Sequence, residues 1–222
     1  MKIIAMIPAR MGSQRLPKKN LALLDGVPLI VRAIRKCKDA GVFDEIWVNS
    51  EHPDFGPVAE AEGAQFHQRP HALGDNSATS EDFVTEFLRA HTCDFVVQVH
   101  SIAPLLSVED TCRFVEMVRN NEFDAVMSVV HGQLECVFDD EPVNFTFDKK
   151  ENSQDLRPVK RIVWSITAWR SETFLAAKES GGCATYAGRI GYSEVSQMAG
   201  HVIKTQEDLD IAAAMLPIVQ GA

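Results

Sequence analysis

Short apolar runs alternate along the chain with amphipathic stretches. Ile3-Ile4-Ala5-Met6-Ile7, Glu45 to Ser50, Asp94 to Val99, Asp124 to Val130 and Arg161 to Trp169 each read as a strand. Pro28 to Cys37 sets Leu29, Ile30, Ala33, Ile34 and Cys37 on one helical face, with Pro28 in the first turn. Pro57 to Glu62 predicts a short helix that stops at Gly63. Thr79 or Ser80 caps a helix whose inner face is Phe83, Val84, Phe87 and Leu88. Ser107 with Asp110 opens a helix that buries Cys112, Val115, Met117 and Val118, and Ser171 caps a shorter one. Thr205 with Asp208 starts the closing helix. Strands alternating with helices predict an α/β fold with a mostly parallel sheet. The alternation fails over 131–160, where Phe138, Val143, Phe145 and Phe147 sit among acids, Asn and Pro. That segment is either an arm onto a second subunit or an excursion folded back on its own domain.

The stretch from Ile7 to Asn20 lies between the first strand and the first helix. It carries Arg10, Arg15, Lys18 and Lys19 and no acid. Gly12 permits close backbone approach and Ser13 adds a small hydroxyl donor. Backbone N–H groups and cationic side chains around such a turn suit a polyphosphate. The glycine spacing fits neither of the common nucleotide loops. By residue chemistry alone the stretch is a phosphate site or an ordinary solvated basic loop.

Composition narrows the field. The chain has 222 residues, consistent with one domain over 1–222, and 45% are hydrophobic, ample for a core. A net charge of −9 argues against nucleic acid as a partner. The charge is uneven: through Lys38 there are nine Lys or Arg against the one acid Asp25, so a basic patch faces an acidic remainder. Such a patch suits a small anion, although Arg32, Arg35, Lys36 and Lys38 read as a solvated helix face. No signal peptide and no apolar stretch near the ~20 residues of a membrane span is expected. The five cysteines (Cys37, Cys93, Cys112, Cys136 and Cys183) lack a CxxC spacing, which predicts reduced, mostly buried thiols in a cytoplasmic protein.

The run Pro8-Ala9-Arg10-Met11-Gly12-Ser13, followed by Leu16-Pro17-Lys18-Lys19-Asn20, resembles the signature of the sugar-acid cytidylyltransferases. Lys19-Asn20 is similar to the acylneuraminate (sialic acid) branch, and Arg15-Leu16-Pro17 to the KDO branch. Weaker likeness continues through Gln68-Arg69-Pro70, Gln98, Asp124 to Val129, Ser153-Gln154-Asp155 and the segment from Ile203 to Ile211. The resemblance implies a three-layer α/β/α Rossmann-like nucleotidyltransferase fold of the nucleotide-diphospho-sugar transferase type, with a dimerisation extension at 131–160. It implies CTP and a small anionic acceptor as substrates, Mg²⁺ as cofactor, and a homodimer. Arg10 and Lys19 would be the chief phosphate contacts. Ala9, Gly12, Ser13, Arg15, Asn20, Arg69, Asn76 (or Asp75, if the loop slips by one) and Gln98 would surround the nucleotide.

Departures cluster on the acceptor and metal side. Leu106 stands where the family has an arginine, and Val163-Trp164 replaces an Asn-Gly. His100 is new, either a satisfied loop histidine or a substrate contact. Val202 and Lys204 take the places of the two metal-binding aspartates. Lys204 then replaces the ion electrostatically, or Asp75, Glu51 or Asp208 holds it, or catalysis is lost. The functional expectation is CMP transfer from CTP to a sialic acid-like or KDO-like sugar acid. The alternatives are a catalytically impaired nucleotide-binding relative with a regulatory role, a nucleotidyltransferase for another acceptor, or a glycosyltransferase-like relative. The last would be akin to the spore-coat polysaccharide proteins, which share Ala-Arg-Met-Gly-Ser and Arg-Leu-Pro.

Overall fold

The computed structural model describes residues 1–220. In chain order its elements begin with β1 (Ile3–Pro8), the small hairpin β2 (Leu23–Leu24) and β3 (Val27–Pro28), α1 (Leu29–Ala40), β4 (Glu45–Ser50), α2 (Phe55–Ala61) and β5 (Gln65–Gln68). They continue with α3 (Ser80–Ala90), β6 (Phe95–Val99), α4 (Val108–Arg119), β7 (Ala125–Gly132), and the hairpin β8 (Val137–Phe138) and β9 (Glu141–Pro142). β10 (Val159–Arg170), α5 (Ser171–Glu179), β11 (Ile190–Glu194) and α6 (Gln206–Gln220) complete the chain. Seven strands form one sheet in the order β11-β7-β10-β6-β1-β4-β5. All neighbours are parallel except β10, which runs antiparallel to both β6 and β7.

β1 is apolar throughout because both faces of a central parallel strand are covered. Ile3, Ala5 and Ile7 meet α1 and α4 on one side, while Ile4 and Met6 meet α3 and α5 on the other. The result is the expected three-layer α/β/α arrangement. α6 packs apart from these, joining Leu16, Leu24, Leu29, Leu105 and Ile203 in a third cluster.

Several local expectations are corrected. β5 and β11 are edge strands too short or too interrupted by polar residues and Gly191 to stand out from the sequence. Lys36 does not lie on a solvated face: it is 8% exposed, and its ammonium donates to the carbonyls of Ala103 (3.1 Å) and Pro104 (3.5 Å). Burial pushes it down to about 8. Arg32 is also drawn in, donating to the carbonyl of Leu24. Of the five free cysteines Cys37 is fully buried, three are half-buried and Cys183 is exposed. Ser171 does not cap α5; its hydroxyl sits 3.3 Å from the Cys93 sulfur.

The cap of α3 forms as expected, from Thr79. Asp82 accepts from the Thr79 N–H (2.9 Å) and hydroxyl (2.7 Å) and from Lys178 Nζ (2.9 Å). These bonds, the Thr79 N–H foremost, hold its carboxyl down at about 2. Asp82→Asn should therefore lower stability by about 1 kcal/mol at neutral pH. The charged form is the stabilised one, so the gap between wild type and variant should persist above the ordinary value of 3.8 and close as pH falls toward 2. Thermal unfolding across that window measures it.

Candidate active site

β1, β4 and β6 all end at the same edge of the sheet, the edge at which open α/β folds bind ligands. The cationic loop leaves β1 there, and its path is fixed from beneath. Arg69 is 4% exposed, and its guanidinium donates to the carbonyls of Ala9 (3.0 Å) and Asn49 (3.1 Å), to Asn49 Oδ1 (3.1 Å) and to the Glu51 carboxylate (3.2 Å). Glu51 Oε1 accepts the N–H of Met11 at 2.8 Å. A Cβ on Gly74 would collide with the Glu51 side chain, so this glycine lets the 71–74 turn close over the pair. Asn20 is buried and bridges the other end of the loop, donating to the Arg10 carbonyl (2.9 Å) and accepting from the Ser101 hydroxyl (2.7 Å).

Arg69 ties backbone and Glu51 through its two terminal nitrogens, while its buried Nε has no partner. Ala9 and Asn20 likewise shape the loop from the inside. Gly12, Ser13 and Arg15 are at or near the surface, and a Cβ on Gly12 would meet nothing within 4 Å. Arg10 reaches across the mouth to Asn76 Oδ1 at 3.0 Å, which joins these two predicted residues. Lys19 is half-buried, donating to the Ile203 carbonyl at 3.2 Å. Burial first, then the charges of Arg15 and Arg10, push its ammonium below the ordinary lysine value. Ser101, the residue that fastens Asn20, had drawn no role from the sequence; its signal is its place just beyond the end of β6.

Further along the edge, three buried polar atoms lack a partner: Gln98 Nε2, His100 Nε2 and Thr167 Oγ1. Gln98 and Thr167 are cross-strand neighbours, and His100 follows two residues after Gln98. His100 is thus not the satisfied loop histidine. Burial and then Lys19 push its imidazole down to about 4, so it is neutral at physiological pH. Beside this lies a cavity of about 450 Å³ lined in part by Arg161, Trp164, His201 and Lys204. Trp164 sits within a bulge of β10 with φ of 53°, a left-handed conformation that costs a bulky side chain energy and is concentrated at functional sites. A larger hollow of about 660 Å³ beside α3 and α5 is remote from the strand ends, and its Lys178 is paired with Asp82.

The carboxylates considered for a metal are engaged elsewhere. Asp75 Oδ1 accepts from Ser77 and Ala78 within its own turn, Glu51 holds Met11 and Arg69, and Asp208 accepts from the N–H groups of Lys204 and Thr205. Among the described residues no three His, Cys, Asp or Glu side chains are grouped to hold an ion. The residues present therefore do not fit a carboxylate-built Mg²⁺ site.

A cytidylyltransferase family model matches residues 4–165. The chain belongs to the cytidylyltransferase family. Among relatives of this cytidylyltransferase chain, N-acylneuraminate cytidylyltransferase A of Danio rerio is 37% identical over 129 residues, 58% of this chain and 30% of that protein. N-acylneuraminate cytidylyltransferase B of the same fish is 30% identical over 202 residues, 86% of this chain and 46% of that one. The Streptococcus agalactiae serotype V enzyme of that name is 29% identical over 198 residues, 84% and 48% respectively. The chain thus spans less than half the length of these curated relatives. In fold it is similar to a CMP:2-keto-3-deoxy-manno-octonic acid synthetase solved with CTP, with a TM-score of 0.74, 16% identity, and coverage of 98% of this chain and 99% of that one. It is also similar to 4-diphosphocytidyl-2C-methyl-D-erythritol synthase of Anaerococcus prevotii, with a TM-score of 0.71, 17% identity, and coverage of 97% and 98%. These likenesses establish the mostly parallel nucleotidyltransferase fold.

The buried Arg69–Glu51 pair yields a prediction. Arg69→Met would strand the Glu51 carboxylate and leave the carbonyls of Ala9 and Asn49 without their donor. The expected loss is about 3–5 kcal/mol of stability in a urea titration. Arg10→Gln, at the surface, should cost under about 0.5 kcal/mol.

Proposed function

We propose that this chain binds CTP on the 9–20 loop and transfers CMP to the hydroxyl of a sugar acid. The observation that carries this reading is a rigidly fastened cationic loop at the carboxyl edge of the sheet in a member of the cytidylyltransferase family. Arg10, Arg15 and Lys19 take the phosphate oxygens, with Ser13 and the loop N–H groups completing the cradle. The acceptor hydroxyl oxygen attacks the α-phosphorus in line, its P–O bond forms as its proton passes to solvent, and the bond to the bridging oxygen breaks as pyrophosphate leaves. The chain's contribution is alignment and neutralisation of charge building on the leaving group.

An anionic acceptor is supported by Arg161 along the cavity of about 450 Å³. Trp164 supplies a bulkier apolar wall than the Asn-Gly it replaces. The 131–160 segment, whose first two and last two residues belong to β7 and β10, exposes Leu134, Val137, Phe138, Val143 and Phe147, a patch that fits a second copy of the chain. The free thiols suit a reducing compartment such as the cytoplasm.

A pyrophosphate-release assay with CTP and a panel of sugar acids tests the reaction, and Lys19→Ala should weaken CTP binding by roughly tenfold or more. Unchanged calorimetric affinity in that variant would remove the loop from the nucleotide site. CTP binding without turnover on any acceptor would leave a nucleotide-binding protein. For the assembly, sedimentation velocity should show a dimer that Phe138→Asp with Phe147→Asp converts to monomer.

A further inference from the structure

Around the loop the balance of charge is one-sided. Arg10, Arg15 and Lys204 all act on Lys19 to lower its affinity for a proton, and Asp208 is the one nearby carboxylate that opposes them. Asp208 is turned into the start of α6, where its Oδ2 accepts from the N–H of Lys204 (2.8 Å), the N–H of Thr205 (2.8 Å) and the Thr205 hydroxyl (3.0 Å). Among the described residues Arg10, Arg15, Lys19 and Lys204 form no ion pair within 4.0 Å, whereas Arg35, Arg69, Arg170 and Lys178 do. Lys19 rests its ammonium on the carbonyl of Ile203, the residue just before Lys204. Lys204 itself is exposed and lines the neighbouring cavity.

Like charges held together without counter-ions are unfavourable unless a ligand supplies the opposite charge. The usual way to present a nucleoside triphosphate is as its Mg²⁺ complex, in which the ion cancels much of the phosphate charge and side-chain carboxylates hold the ion. Here both Glu51 oxygens, Asp75 Oδ1 and Asp208 Oδ2 are held by the scaffold, and the Lys204 ammonium stands on the cavity wall that Asp208 also lines.

We infer that Lys204, acting with Lys19, Arg10 and Arg15, supplies the charge neutralisation that a divalent cation would otherwise bring, so that the chain binds the free triphosphate anion of CTP without a metal ion. The inference rests on the nucleotide reading above. Lys204 is a binding residue in this account, and its ammonium meets the phosphates directly. A cation already bound to the triphosphate would be repelled by the four side chains, so Mg²⁺ gives no gain in affinity.

Calorimetric titration of the whole chain with CTP, once in EDTA and once in excess Mg²⁺, tests this. Affinity in EDTA should equal or exceed that in Mg²⁺. Lys204→Ala should lose roughly tenfold in EDTA, and Lys204→Arg should retain most of the affinity. The Lys204 backbone N–H that bonds Asp208 is untouched by either substitution, so folding is preserved. Affinity that falls in EDTA by roughly tenfold or more, or a Lys204→Ala variant that binds in EDTA as wild type does, overturns the inference and leaves CTP binding intact. No CTP binding under either condition overturns the nucleotide reading itself, and this inference with it.

Discussion

The buried pairing of Arg69 with Glu51 governs the arrangement of the strand ends. Arg69 holds the last turns of β1 and β4 at one height through the carbonyls of Ala9 and Asn49, and Glu51 holds the next loop residue through the Met11 N–H. An ion pair this deep is costly to desolvate, and its other hydrogen bonds offset that cost. What it secures is position. The cations of the loop cannot relax toward Glu51, because both its oxygens are engaged. Arg15 stays exposed, Arg10 reaches Asn76 and Lys19 lies half-buried against the Ile203 carbonyl.

A second layer of fastening comes from the other side. The chain of contacts from Ser101 through Asn20 to the Arg10 carbonyl ties the loop to the end of β6, and Lys36 secures the corner at Ala103 and Pro104 from behind the sheet. Leu16 anchors the middle of the loop in the α6 cluster. A loop held at both ends and in the middle loses little conformational entropy on binding, the condition under which a few charge-assisted contacts translate into affinity. The acceptor side is built differently. It has a strained Trp164, a neutral buried His100 and unpartnered amide and hydroxyl groups, a mixture of apolar wall and polar contacts typical of small-molecule sites.

Much of this was legible in the residues. The apolar runs identified five of the sheet strands, and the Thr79-or-Ser80 cap and the Ser107–Asp110 spacing identified two helix starts that form as expected. The loop motif singled out Arg10 and Lys19, and the structure puts the first against Asn76 and the second against the Ile203 carbonyl. Lys36 was misread because helical periodicity places it on a polar face but does not show that the loop after β6 turns the carbonyls of Ala103 and Pro104 toward that face. The buried ties of Arg69 were not legible for a related reason, since its sequence context fits a ligand contact and a buried tie equally well.

The sequence by itself determined the α/β alternation, the family and the charge of the loop, because periodicity and side-chain type are local properties of the chain. Only the tertiary structure decided which cations face outward and which hold backbone, which carboxylates are engaged, and that Lys19 rests on the carbonyl just before Lys204. Those outcomes depend on groups far apart in sequence, such as Lys19 and Ile203, and burial sets which partner each charge must take.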